Sequence, residues 1–160
     1  MLMARLRNAV LVGVLAALLV GTNASAAAPL HSVVGSGTVA EEGLTFAEMI
    51  SAHTDSSGQA FGSMVLTIDA RAFGFPRLIV VVQRVTCLHV EGNSAWIGGV
   101  ATSTTDPIFP VGTQFIVLVR DLGGPGQDIM HGEAFPASVT CRDKPALPET
   151  VIASGNFLVR

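Results

Sequence analysis

The densest cluster of reactive side chains lies at Asp128-Ile129-Met130-His131-Gly132-Glu133. On an extended strand, residues two apart share a face. His131 and Glu133 are therefore expected side by side, with Asp128 on the opposite face. An imidazole beside a carboxylate can tune a proton-transfer group or begin a metal site. The plainer alternative is a solvated edge strand beside a turn. Trp96 is the only tryptophan, and Gly98 and Gly99 follow it. It reads either as the wall of a ligand pocket or as core packing, so the ligand-binding candidates are Trp96, His131 and Glu133. His31, His53 and His89 are isolated and read as surface or partly buried histidines. No G-x-S-x-G, H-E-x-x-H or P-loop is present, so no residue is assigned a catalytic role. Cysteine and histidine spacing suggests no metal site, and no cofactor is implied.

These residues need a scaffold, and the chain spells out strands. It has 160 residues, 17 of them glycine and 8 proline. Turn signals recur between β-branched runs at all-β spacing. Strands are expected at 31–40, 44–53, 61–69, 78–90, 94–102, 113–120, 129–135 and 151–159. The segment 44–53 also contains helix formers. Leu44, Phe46, Glu48 and Ile50 alternate along it, and it reads as a strand because both neighbours are strands. Glu91-Gly92-Asn93 marks a tight hairpin, and residues 72–76 and 104–112 read as loops. Short links imply antiparallel neighbours. With no helix to cover it, the sheet must bury its own face. The expected fold is an all-β, antiparallel domain of about eight strands in a closed or flattened barrel. A Greek-key β-sandwich is the alternative.

The chain is 49% hydrophobic and 13% charged, with a formal net charge of −3. Its mean hydropathy is +0.56. Part of this apolarity belongs to an export signal. Arg5 and Arg7 precede an apolar run at 9–20, and Ala24-Ser25-Ala26 supplies a small-residue cleavage site. Residues 1–26 read as a signal peptide cleaved after Ala26, and 27–160 as one secreted β domain. The apolar run is too short to span a bilayer, so no transmembrane segment is expected in the mature chain. The absence of tyrosine argues against the aromatic girdles of an outer-membrane barrel. The acidic balance argues against nucleic acid as a partner. In an oxidising compartment the two cysteines, Cys87 and Cys141, read as a disulfide, worth about 4 kcal/mol by loop closure.

The central hairpin carries a longer pattern, R-V-T-C-L-H-V-E-G-N-S-A-W-I-G-G, at residues 84–99. It resembles V-T-C-L-x-V-x-G-N-x-A-x-I-G-G, a motif of a family of small exported bacterial β-proteins of unknown function. Val85, Thr86, Cys87, Leu88, Val90, Gly92, Asn93, Ala95, Ile97, Gly98 and Gly99 match it. Pro110-Val111-Gly112, Val119-Arg120-Asp121, Cys141 and Gly155-Asn156 also fit. The family often continues into an acidic, glycine-rich segment ending in P-D-Q, where this chain has L-G-G-P-G-Q-D. The resemblance implies an exported β-domain and supplies no activity. The leading functional expectation is a non-catalytic barrel that binds a small apolar ligand or an envelope component. An isomerase or cyclase using His131 and Glu133, with Trp96 as a pocket wall, is the second. A structural surface protein is the third.

Overall fold

The computed structural model describes residues 30–41, 43–74 and 78–160. The signal segment and part of the 72–76 loop lie outside the described residues. Eight strands follow one another: β1 Ser32–Glu41, β2 Leu44–Thr54, β3 Ala60–Asp69, β4 Ile79–Glu91, β5 Ser94–Thr104, β6 Gln114–Arg120, β7 Ile129–Phe135 and β8 Ser154–Val159. They form one antiparallel sheet in the order β7-β6-β5-β4-β3-β2-β1-β8. This is a hairpin meander whose last strand returns beside the first, and the sheet curls into a half-barrel rather than a Greek-key sandwich. The segment 44–54 is a strand, paired with β1 from Glu41↔Leu44 to Ser32↔His53.

Alternation assigns every strand an inner face. Ile50, Met64 and Gln83 share one inward row, and Phe46, Ile68 and Ile79 share another. The interior divides into two apolar clusters. One holds Val33, Ile50, Met64, Val85, Ile97, Val117, Val119, Met130 and Phe157. The other, at the opposite end of the strands, holds Ile68, Ala70, Ile79, Val81, Ala101 and Phe115. In the first cluster Phe157 is fully buried and lies over Gly35 and Gly37. A Cβ on Gly37 would stand 2.6 Å from its ring.

The outer strands β7 and β8 meet only at one end of the barrel. A single bridge, Ile129↔Val151, joins β7 to the segment entering β8. Asp128 secures the junction. Its Oδ1 accepts from Leu122 N–H at 2.9 Å and its Oδ2 from Phe157 N–H at 2.6 Å. Its carbonyl accepts from Ile152 N–H at 2.9 Å. A buried carboxylate is tolerated where backbone donors satisfy it. β8 pairs with β1 only from Val33 to Thr38. Past that point β1 has no strand partner on this side among the described residues, and the seam with β7 stays open.

Cys87 and Cys141 are paired, with Cα atoms 6.0 Å apart across 54 residues of chain. Strict alternation would turn Cys87 inward. A register shift between Val85 and Cys87 turns it outward instead, as bulges characteristically re-aim a side chain. The two motif glycines serve opposite faces. A Cβ on Gly98 would stand 2.5 Å from Cys87 Sγ, outside the barrel. One on Gly99 would stand 2.4 Å from Met64 Cε and 2.9 Å from Gln83 Oε1, inside it.

Candidate functional site

The open seam leads into a cavity of about 380 Å³, bordered by the second cluster's Ile68 and Phe115 and closed at its inner end by Val39, Val117 and Met130 of the first. Its walls come from strands that are far apart in sequence. Phe46, Leu66, Ile68, Phe109, Phe115, Val117 and Met130 make it mostly apolar. Phe109 comes from the loop between β5 and β6 and leans on Phe115, with ring centroids 5.4 Å apart.

Two polar side chains interrupt the apolar wall. Glu48 on β2 is 4% exposed, and Gln83 on β4 is 1% exposed. Among the described residues, Glu48 Oε1, Gln83 Oε1 and Gln83 Nε2 are buried without a hydrogen-bond partner. The alternation Phe46-x-Glu48-x-Ile50 aims Glu48 inward, and Val81-x-Gln83-x-Val85 does the same for Gln83. Burial away from water pushes the Glu48 carboxyl from its ordinary 4.5 up to about 8, because desolvation penalises the charged form. At neutral pH this group is a neutral acid, able to donate one hydrogen bond and accept others.

His131 and Glu133 lie at the mouth. Both border the cavity, although alternation turns Met130 and Gly132 inward on the same strand. The expected pairing is present, with His131 Nε2 3.2 Å from Glu133 Oε1. His131 Nδ1 lies 3.3 Å from Thr150 Oγ1, and Thr150 donates to Glu41 Oε1 at 2.7 Å. The chain Glu133–His131–Thr150–Glu41 thus links β7 to β1 beside the open seam.

Trp96 does not join them. It projects from the outer face of β5, where its Nε1–H donates to Pro145 O at 3.3 Å. Its ring lies 6.1 Å from that of His89. Trp96 and the disulfide hold the same covering segment, the stretch that follows β7. His53 stacks on Phe61 at 5.4 Å, away from the cavity. The candidates of the sequence therefore separate: His131 and Glu133 border one opening, and Trp96 secures a strap outside. Glu48 and Gln83 complete the cavity. Their one sequence signal is a polar residue standing in an otherwise apolar inward row.

No helix among the described residues is long and apolar enough to cross a membrane. Comparison with family models, curated proteins and solved structures returned no match.

Proposed function

We propose that this protein is an exported, non-catalytic binding barrel that takes a small, largely apolar molecule into its open half. One observation carries the reading: a cavity of about 380 Å³, with aromatic and aliphatic walls and a few polar groups, the usual make-up of a small-molecule site. Export rests on the basic, apolar and small-residue segments of residues 1–26. A disulfide is compatible with an oxidising compartment.

The test is titration with N-phenyl-1-naphthylamine, an uncharged dye that brightens in apolar surroundings. Saturable binding of one dye per chain is expected. Leu66→Trp inside the cavity and Ala134→Trp at its mouth should each abolish it. Met49→Lys on the outer face should leave it unchanged. Dye binding that survives both tryptophan variants would refute the proposal.

A second reading, an isomerase or cyclase, draws support from one observation. A neutral carboxyl in an apolar cavity is the environment that tunes a general acid. Deuterium wash-in at the α-carbon of a bound ketone, lost in Glu48→Gln, would favour this reading over simple binding.

A further inference from the structure

The cavity wall says more about its occupant than that it is apolar. We infer that it takes an uncharged, mainly hydrocarbon ligand whose polar groups are a carbonyl and a hydroxyl, received by Glu48 and Gln83. This inference rests on the reading of the cavity as a ligand site.

Three arguments support it. Buried polar atoms are almost always hydrogen-bonded, and each one left bare carries a desolvation cost. Here three such atoms belong to two side chains that border the cavity and are each at least nine-tenths buried. They offer donors and acceptors together: a neutral carboxyl can donate, and a carboxamide can do both. The ligand must therefore present both complements.

Charge supplies the second argument. Among the described residues, the titratable groups on the wall are Glu41 from β1, Glu48 from β2, and His131 and Glu133 from β7, with no lysine or arginine. Among the described residues, a carboxylate or phosphate ligand would meet acidic groups with only His131, already in contact with Glu133 and Thr150, to oppose them. Separation is the third argument. Glu48 pairs with Leu66, which pairs with Val81, whereas Gln83 pairs with Met64. The two polar groups are thus two strands apart and one inward step out of line. By ordinary strand spacings their backbones stand on the order of 10 Å apart. A compact ring system with its two polar groups apart suits this better than a chain with one polar head.

The experiment is calorimetric titration of a matched decalin series at pH 6.5: decalin, a decalone, a hydroxydecalone, a decalin carboxylate and a decalin amine. The hydroxydecalone should bind at least tenfold tighter than decalin, with the decalone between them and both charged members weakest. Glu48→Leu and Gln83→Leu should each erase most of the hydroxydecalone's advantage while keeping decalin affinity, which also shows that the variants fold. In the wild type that advantage should fade as pH passes about 8, where Glu48 ionises. Equal affinity for decalin and hydroxydecalone would overturn this inference and leave the cavity reading intact. Tightest binding by the amine or the carboxylate would overturn it as well. Failure of both the naphthylamine dye and the whole series would remove the cavity reading itself.

Discussion

The two halves of this barrel are made by the same strands and differ in what fills them. In one half, β8 covers β1, Asp128 ties the seam, and Phe157 and Met64 fill the interior. In the other half β8 is missing, the seam opens, and Glu48 and Gln83 face an unfilled space. The first half is packed for stability. The second gives up packing and accepts buried polar groups. That division is expected where stability is sacrificed locally for a binding site. The loop phenylalanine of the open half, Phe109, is half-buried against the second cluster, whereas Phe157 of the filled half is inaccessible.

The contrast can be broken by measurement. The largest effect is expected from Glu48. Folding raises its pKa, so the stability it lends is complete below about 4.5 and is lost as pH rises through about 8. Between these limits the stability difference between wild type and Glu48→Gln should change by roughly 5 kcal/mol. Denaturant titration from pH 4 to 9 would show it as a wild-type decline that the variant lacks. A variant that declines in parallel with the wild type would remove the buried acid from the account.

Next comes Phe157→Ala, expected to cost roughly 3–5 kcal/mol in urea unfolding. Phe109→Ala in the open half should cost less than about 1 kcal/mol, since little packing is lost there. Similar losses at both sites would erase the distinction between the halves. Removing the disulfide with Cys87→Ser and Cys141→Ser should cost roughly 2–4 kcal/mol, and dye affinity should stay unchanged because the bridge lies outside the barrel. The two motif glycines discriminate most finely. Gly98→Ala and Gly99→Ala should each cost about 1–3 kcal/mol by overpacking. Only Gly99→Ala should alter ligand binding, because only its Cβ would press on Gln83.

Much of this fold was legible in the residues. Alternation and turn signals located all eight strands, and the ambiguous segment 44–53, with its helix formers, read as a strand because both its neighbours did. The two-residue period also placed His131 beside Glu133. The cysteine pair followed from compartment and count, but the bulge that turns Cys87 outward did not, because a register shift depends on the partner strand. Trp96 could not be assigned a face for a related reason: what covers it is a strap 49 residues away along the chain. Asp128 read as a polar residue beside a turn, and its structural role became visible only when β8 arrived beside it. Glu48 and Gln83 were in plain view in their strands. Their importance depends on burial that only closure of the sheet creates.

The measurement that bears most directly on the open half is a carbon-13 NMR titration of the Glu48 side-chain carboxyl, assigned by comparison with Glu48→Gln. A neutral acid held in an apolar cavity should titrate with a midpoint near 8. A midpoint near the ordinary 4.5 would mean a hydrated, ionised carboxylate and would contradict the account of an apolar site built for an uncharged ligand.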